Sequence, residues 1–146
     1  MRIADVLRTK GDAVATITPQ TSIGGLLNEL ALHNIGAMVV VGDGLVGDGV
    51  VGMVSERDIV RSLHEHGADL LSRPVSDIMT TQVATCAPTD SVDSLSALMT
   101  RNRVRHVPVI DDGRLAGIVS IGDVVKTRME ELEAEHEQLQ AYITQG

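Results

Sequence analysis

The sequence predicts an α/β fold in which two copies of one unit pack about a pseudo-two-fold axis, with an extended C-terminal helix. The first observation is a repeated nonapeptide, because GMVSERDIV at residues 52–60 returns as GIVSIGDVV at residues 117–125. The second is the register around it, because VATITPQTSIGGL from Val14 aligns with VATCAPTDSVDSL from Val83. Two copies are too few for a solenoid, so we expect them to pair with each other and to leave two clefts between them.

Each copy predicts the same order of elements, which is strand, helix, strand, strand, helix. Apolar residues recur at helical spacing after Pro19 and again after Pro88. The segments AMVVV and HVPVI, followed by GVVGMV and RLAGIV, are typical of strands, and the turns between them, GDGLVGDG and DDG, are rich in Gly and Asp. The second helix begins at Ser55 in the first copy and at Ser120 in the second. Because the strands are almost continuously apolar, we expect a small sheet covered on both faces.

The C-terminal segment predicts a helix with an apolar seam. The seam residues alternate in spacing between four and three, and the acidic run EELEAEHE occupies the other faces. The seam comprises Met129, Leu132, His136, Leu139 and Ile143. Two interpretations are open: the helix packs back on its own domain, or it contacts a second subunit. Fewer than three heptads are present, which argues against an independent coiled coil.

Composition excludes several classes of partner. The net charge is −8, and the chain has no Phe or Trp and a single Tyr, so it lacks the excess cations and the stacking surfaces that bind nucleic acid polymers. No run of about 18 apolar residues predicts a membrane span, and the N-terminus has no apolar stretch typical of a signal sequence. The single cysteine, Cys86, indicates a reducing compartment and a small buried side chain. We therefore expect a cytoplasmic protein with neither a membrane nor a nucleic acid partner.

A Ser-x-x-Asp motif occurs in each copy, at Ser55 and Asp58 and at Ser120 and Asp123. One interpretation is structural, because a serine followed three residues later by an acid resembles a capping box. The other is functional. A helix that opens directly after a strand points backbone N–H groups at a phosphate, and an ionised Asp accepts hydrogen bonds from both hydroxyls of a ribose. The motif alone leaves both interpretations open.

The sequence predicts neither catalysis nor a metal site. Ser120, His106 and Asp123 are the residue types of a hydrolytic triad, but neither repeated serine lies in the glycine pattern of a nucleophile elbow. His64 and His66 are two residues apart on a predicted helix, whereas metal-ligating histidines on a helix are usually four apart. No glycine-rich phosphate loop or dinucleotide-binding fingerprint occurs.

The blocks RHVPVIDDGRLAGIVSIGDVV and GAMVVVGDGLVGDGVVGMVSERDIV, with the helices that follow Pro19 and Pro88, resemble tandem CBS domains, named after cystathionine β-synthase. The resemblance covers nearly the whole chain. It implies a first repeat over residues 1–72, a second over 73–128 and a C-terminal helical extension over 129–146. Such a pair is called a Bateman module. In that family the clefts between the copies bind adenosine-containing molecules, and modules often pair into disc-shaped dimers.

The resemblance implies a non-catalytic regulatory module that binds an adenine nucleotide and signals by a change of conformation or oligomeric state. AMP, ADP or ATP is favoured as the regulatory ligand, ahead of S-adenosylmethionine or NAD, and no cofactor is required. The implied protein partners are a second copy of the chain, giving a homodimer, and a downstream protein that the sequence does not identify. The alternative is a ligand-free dimeric scaffold or protein-interaction module in which the same motifs only cap helices.

Carried over onto this sequence, the resemblance implies two matched sets of ligand-binding residues. Asp58 and Asp123 would bind ribose, and Ser55 and Ser120 would contact phosphate or ribose. The residues in contact with the base would be Thr16, Ile17, Thr18, Thr85, Cys86 and Ala87. The walls of the pockets would be Ala37, Met38, Val39, His106, Val107 and Pro108. The cations beside them would be Arg57 and Arg105. Because the copies differ around these positions, the two clefts are not expected to be equal.

Overall fold

The helices and strands follow the predicted order in both halves of the chain, in a computed structural model that describes residues 1–11, 13–42 and 49–145. The helices are α1 (Ile3–Lys10), α2 (Ile23–His33), α3 (Glu56–His66), α4 (Val92–Asn102) and α5 (Ile121–Gln145). The strands are β1 (Thr16–Ile17), β2 (Ala37–Val41), β3 (Val50–Ser55), β4 (His106–Asp111) and β5 (Arg114–Ser120). Short 3₁₀ turns cover Gly67–Ser72 and Val75–Asp77. The predicted turn GDGLVGDG lies between β2 and β3, and its residues 43–48 are outside the described part of the chain.

Each copy builds its own small sheet. In the first copy, β1 pairs in parallel with β2, and β2 pairs antiparallel with β3. In the second copy, β4 pairs antiparallel with β5, and Cys86 forms a single parallel bridge to Val109. That bridge stands where β1 stands in the first copy. The predicted order of elements is therefore confirmed, with the first strand of the second copy reduced to one bridging residue.

Helices α2 and α4 are matched between the copies, as the repeat predicts. Ser22 caps α2 by accepting a hydrogen bond from Gly25 N at 3.0 Å, and Ser91 caps α4 by accepting one from Ser94 N at 3.0 Å. Each helix then ends at a residue in the left-handed conformation. This geometry stops the helix and turns the chain toward the next strand.

Two hydrophobic cores form, one in each copy, and each includes a short segment outside the repeated strand-helix-strand-strand-helix unit. The core of the second copy contains Ile3 and Val6 of α1. The core of the first copy contains Val75, which follows α3. We call residues 1–10 the first lead-in and residues 73–80 the second lead-in. Each lead-in packs on the copy that it does not directly precede.

Backbone hydrogen bonds hold both lead-ins in these exchanged positions. Ile3 N donates to Asp90 O at 2.9 Å, which ties the first lead-in to the second copy. Val75 N donates to Thr21 O at 2.7 Å, which ties the second lead-in to the first copy. The core of the second copy therefore combines α1 with residues 86–124, whereas the core of the first copy comes from one continuous stretch, residues 17–75.

A glycine lies under each lead-in at equivalent positions of β3 and β5. A Cβ at Gly117 would lie 2.7 Å from Leu7 Cδ2, and a Cβ at Gly52 would lie 2.8 Å from Met79 Sδ. Both distances are shorter than a van der Waals contact, so the missing side chain is what allows the lead-in to approach the strand. These are the glycines that open the two repeated nonapeptides.

Helix α5 begins on the second copy and then extends beyond it. Val124 and Thr127 are buried, whereas Leu139 is 61% exposed and Ile143 is 72% exposed. The helix has 25 residues, a length of about 38 Å at a rise of 1.5 Å per residue. The predicted helix is present, but within the described residues its apolar seam does not pack back on its own domain. Among these residues no helix is long and apolar enough to cross a membrane.

Candidate functional site

Two strand-to-helix junctions carry the repeated Ser-x-x-Asp motif. At the β3–α3 junction, Ser55 N and Ser55 Oγ donate to Asp58 Oδ2 at 2.9 and 3.1 Å, and Asp58 N donates to Ser55 Oγ at 3.4 Å. At the β5–α5 junction, Ser120 N and Ser120 Oγ donate to Asp123 Oδ2 at 2.8 and 3.0 Å, and Asp123 N donates to Ser120 Oγ at 3.2 Å. Each motif is a complete capping box, as the structural interpretation predicts.

Capping does not use the whole of either carboxylate. Asp58 and Asp123 both accept the cap hydrogen bonds through Oδ2, and in the described part of the chain neither Oδ1 accepts one. Both side chains are half-buried. Since an ionised carboxylate accepts several hydrogen bonds, each junction can cap its helix and still receive a ligand hydroxyl.

Strand pairing brings the predicted pocket walls against these junctions. Ala37 at the start of β2 pairs with Ser55, and His106 at the start of β4 pairs with Ser120. The other wall residues, Met38, Val39, Val107 and Pro108, are buried, and the predicted cations Arg57 and Arg105 are exposed. Each copy therefore brings a strand start and its motif together at one end of its sheet.

The predicted base-contacting residues divide into surface and core positions. Thr16 and Thr85 are exposed, and Thr18 and Ala87 are half-buried. Ile17 and Cys86 belong to the hydrophobic cores, and the N–H and C=O of Cys86 are both hydrogen-bonded to β4. Burial, reinforced by a nearby carboxylate, raises the pKa of the Cys86 thiol to about 12. Cys86 is therefore an uncharged core residue, which agrees with the small buried side chain predicted for the single cysteine.

The β5–α5 junction holds a cation that the sequence analysis did not identify. Lys10 Nζ, at the end of α1, donates to Asp123 Oδ2 at 2.6 Å and to Ile118 O at 2.7 Å. Asp58 has no such ion pair among the residues that the structure describes. Lys10 is 113 residues from Asp123 in the sequence, and it reaches the carboxylate because the first lead-in packs on the second copy. The one available signal was the repeat of the lead-ins, in which IADVLRTK aligns with VSDIMTTQ and Lys10 with Gln82.

Lys10 changes the ionisation of the carboxylate beside it. Burial opposes the charged form of Asp123, but hydrogen bonds from Lys10 and Ser120 outweigh burial and hold the pKa of the carboxyl below its usual range. A cleft of about 360 Å³ between α1 and α5 opens beside this pair and includes both Lys10 and Asp123 in its lining. The junction thus presents a fixed carboxylate and a fixed ammonium to the same space.

The pKa of His106, a predicted wall residue of the same copy, is below its usual value. Burial is the main reason that its pKa is lowered, and the positive charges of Lys10 and Arg105 act in the same direction. The carboxylates of Asp123 and Glu56 oppose the shift without reversing it. Glu56 belongs to α3 of the first copy, so charges from both copies act at this position.

The hydrolytic residue types at the β5–α5 junction are not arranged as a triad. Ser120 Oγ donates its hydrogen bond to Asp123 Oδ2, whereas a catalytic serine donates to a histidine. In the described ranges, no group of three or more His, Cys, Asp or Glu side chains is arranged to hold a metal ion. Each junction presents a carboxylate that can accept hydrogen bonds at a helix N-terminus, and the β5–α5 junction also presents the ammonium of Lys10.

Comparison with known proteins identifies one family. The family model for the CBS domain matches residues 3–65 and 75–130 of this chain. The chain is similar to CBSX3, a mitochondrial CBS domain-containing protein of Arabidopsis thaliana, with 37% identity over 150 residues that cover 99% of this chain and 72% of the relative.

Solved structures show the same architecture. The CBS-domain containing protein ATU1752 from Agrobacterium tumefaciens is similar with a TM-score of 0.81 and 45% identity, covering 87% of this chain and 92% of that one. The CBS domain pair of protein MJ0100, solved in complex with 5′-methylthioadenosine and S-adenosyl-L-methionine, is similar with a TM-score of 0.75 and 26% identity, covering 87% and 98%. The fold class and the duplication predicted from the sequence are confirmed by these matches.

Proposed function

We propose that this chain, which belongs to the CBS domain family and contains two copies of the domain, binds an adenosine-containing ligand between the copies and regulates a partner through it. CBS domain pairs are regulatory modules. AMP, ADP or ATP is the ligand that we favour, ahead of S-adenosylmethionine or NAD. One observation carries the proposal: each copy presents a half-buried aspartate at a helix N-terminus, with one carboxylate oxygen left to accept a hydrogen bond.

In this proposal each junction binds the ribose and phosphate of one ligand. Asp58 or Asp123 accepts hydrogen bonds from the ribose hydroxyls. Ser55 or Ser120, together with the N-terminus of its helix, binds phosphate. The base lies against aliphatic side chains and backbone groups of the predicted walls, because the chain contains no Phe or Trp on which a base could stack. No chemical step follows binding, and the ligand leaves unchanged.

A solved relative supports the class of ligand. The MJ0100 pair is in complex with 5′-methylthioadenosine and S-adenosyl-L-methionine, and both molecules contain an adenosine group. We carry over that group alone to this chain. Lys10 contacts Asp123, the positive charge of Arg105 acts on His106, and cations favour a phosphate over a positively charged sulfonium. This charge is our reason for favouring AMP, ADP or ATP.

The ligand is proposed to act by a population shift. It stabilises the arrangement of the two copies that closes the occupied cleft, and it shifts the equilibrium by its differential affinity for the two arrangements. Helix α5 starts at the β5–α5 junction and continues for 25 residues, so a movement at Asp123 reaches the exposed seam. In the proposed homodimer a second copy of the chain covers that seam, and a downstream protein responds to the change.

The proposal is tested by thermal shift with AMP, ADP, ATP, S-adenosylmethionine and NADH, followed with an extrinsic dye because the chain has no Trp. Wild type is compared with Asp58→Asn and Asp123→Asn, since asparagine keeps an oxygen that accepts the cap hydrogen bonds but loses the charge. Asp93→Asn is the matched control, because Asp93 lies in the first turn of α4 and outside both junctions. A ligand at about 100 times its Kd adds about 2.7 kcal/mol of stability, which raises Tm by about 5–10 °C.

A nucleotide that raises the Tm of wild type and of Asp93→Asn, but not that of one junction variant, supports the proposal and identifies the occupied cleft. The second candidate function is a ligand-free dimeric scaffold or protein-interaction module, and the completeness of both capping boxes favours it. In that case no ligand shifts wild type, and the junction variants only unfold at a lower temperature.

A further inference from the structure

The ammonium of Lys10 lies at the N-terminus of α5. Lys10 Nζ, Ser120 N and Ser120 Oγ all donate to one atom, Asp123 Oδ2, at 2.6, 2.8 and 3.0 Å. A second hydrogen bond, to Ile118 O at 2.7 Å, fixes the ammonium on the strand side of the junction. The cation therefore occupies the space where the helix N-terminus attracts an anion.

The position of Lys10 does not depend on Asp123 alone. Helix α1 is anchored on the second copy by the hydrogen bond from Ile3 N to Asp90 O at 2.9 Å. The same helix packs Leu7 against Gly117 of β5. Lys10 follows Leu7 by less than one helical turn, so the fold delivers its side chain to the junction whether or not a ligand is bound.

This arrangement should give ligands with a phosphate and ligands without one different affinities. A ligand with a phosphate near the junction gains a charge-assisted hydrogen bond from Lys10. A nucleoside gains no such bond, and its ribose competes with Lys10 for the Asp123 carboxylate. A ligand with a phosphate should therefore bind to this cleft more tightly than the corresponding nucleoside.

The described residues of the first copy show no equivalent arrangement. Helix α3 begins with Glu56 and Arg57, two exposed side chains of opposite charge. In the described part of the chain no cation is paired with Asp58. The residue that the repeat aligns with Lys10 is Gln82, and the matched contacts of the two lead-ins with their glycines support this alignment.

We propose that Lys10 makes the cleft at Asp123 more selective than the cleft at Asp58 for ligands that carry a phosphate on the ribose. The inference rests on the proposed function. It identifies the cleft that distinguishes a nucleotide from a nucleoside, and it names Lys10 as the residue responsible.

The test compares AMP with adenosine, which differ by the phosphate alone, using isothermal titration calorimetry. Asp58→Asn is the background, so that the cleft at Asp123 is the one measured. In that background, Lys10→Met is expected to lower the ratio of AMP affinity to adenosine affinity at least about tenfold, since a hydrogen bond to a charged group contributes about 1.5–3 kcal/mol and 1.4 kcal/mol is tenfold. Lys10→Arg is expected to keep most of the ratio.

Arg101→Met is the matched control, because Arg101 lies in the last turn of α4 in the same copy, is exposed and does not line the cleft that contains Lys10 and Asp123. The inference is overturned if Lys10→Met leaves the ratio unchanged, or if it weakens AMP and adenosine equally, as a purely structural lysine would. It is also overturned if Lys10→Met lowers the ratio in an Asp123→Asn background. If wild type binds neither AMP nor adenosine, this inference fails, whereas the proposed function fails if no ligand of the thermal-shift panel binds.

Discussion

The β3–α3 and β5–α5 junctions have the same local pattern and nearly the same cap geometry, yet they differ in charge. The serine N and Oγ donate to the aspartate at 2.9 and 3.1 Å in the first copy and at 2.8 and 3.0 Å in the second. The difference comes from Lys10, which reaches only the second junction. A duplicated motif thus keeps its structural role in both copies, while its electrostatics depend on the segment that packs beside it.

The largest effect is expected where the second lead-in crosses β3. In Gly52→Ala the new Cβ would lie 2.9 Å from Thr80 O and 2.8 Å from Met79 Sδ. The carbonyl cannot move without disturbing the bridge between Met53 and Thr80. We expect Gly52→Ala to lower the free energy of unfolding by about 3 kcal/mol, measured by urea denaturation.

The equivalent glycine of the second copy is expected to be more tolerant. In Gly117→Ala the nearest atoms belong to the side chain of Leu7, which can change rotamer, so we expect a loss of about 1 kcal/mol. Gly49→Ala is the control, because its Cβ would have no neighbour within 4 Å. Equal losses at Gly52 and Gly117 would contradict the distinction between backbone and side-chain contact.

Removing the carboxylates is expected to have smaller effects than Gly52→Ala. Asp58→Ala removes the carboxylate that accepts from Ser55 N and Ser55 Oγ in the capping box, and it should cost about 1 kcal/mol. Asp123→Ala removes the equivalent acceptor and also the partner of Lys10, so we expect about 2 kcal/mol from urea denaturation. Asp93→Ala, in the first turn of α4, should cost about 0.5 kcal/mol through the helix dipole. If Asp58→Ala and Asp123→Ala cost the same, Lys10 does not contribute to stability.

The two copies should also differ in their response to acid, because His106 in the second copy stands where the first has Ala37. Folding lowers the pKa of His106, so near and below the ordinary value of about 6.5 the unfolded chain binds more protons than the folded one. The free energy of unfolding therefore keeps its full value above the ordinary pKa of histidine. It falls as the pH drops toward the lower pKa that His106 has in the folded chain. His106→Gln should flatten the free energy of unfolding between pH 7.5 and 5, whereas His136→Gln on the exposed part of α5 should not. An unchanged slope in His106→Gln would refute this assignment.

The smallest effect on stability is expected at the far end of α5. Leu139 and Ile143 are exposed on this chain, so the double change Leu139→Ser and Ile143→Ser should alter the unfolding of dilute protein by less than about 0.5 kcal/mol. The same variant should sediment as a smaller species than wild type if a second copy covers the seam. An unchanged sedimentation coefficient would remove the seam from the proposed homodimer.

The elements themselves could be predicted because local signals decide them. The serines at positions 55 and 120 cap their helices where the repeat indicated, and the apolar runs beside them form the paired strands. The burial of Cys86 also followed from its residue type. In these cases the structure is determined by residues that are close together in the sequence.

The exchange of the lead-ins could not be predicted in the same way. An apolar pattern determines which side of a segment is buried, but Ile3 and Val75 would fit the core of either copy by pattern alone. The pairing of Lys10 with Asp123 depends on that exchange, so it was also missed. The α5 seam presents the same problem, since its spacing predicted a helix without indicating what covers it.

The exchanged lead-ins also set the order in which the molecule can be completed during synthesis. Leu7 is synthesised about 110 residues before its contact residue Gly117. At about 5–20 residues per second this interval lasts about 6–22 seconds. Throughout that time Ile3, Val6 and Leu7 lack the copy on which they pack in the folded chain, whereas the first copy can close as soon as the second lead-in has emerged. In the nascent chain the sheet of the first copy can therefore form before α1 packs on the second copy.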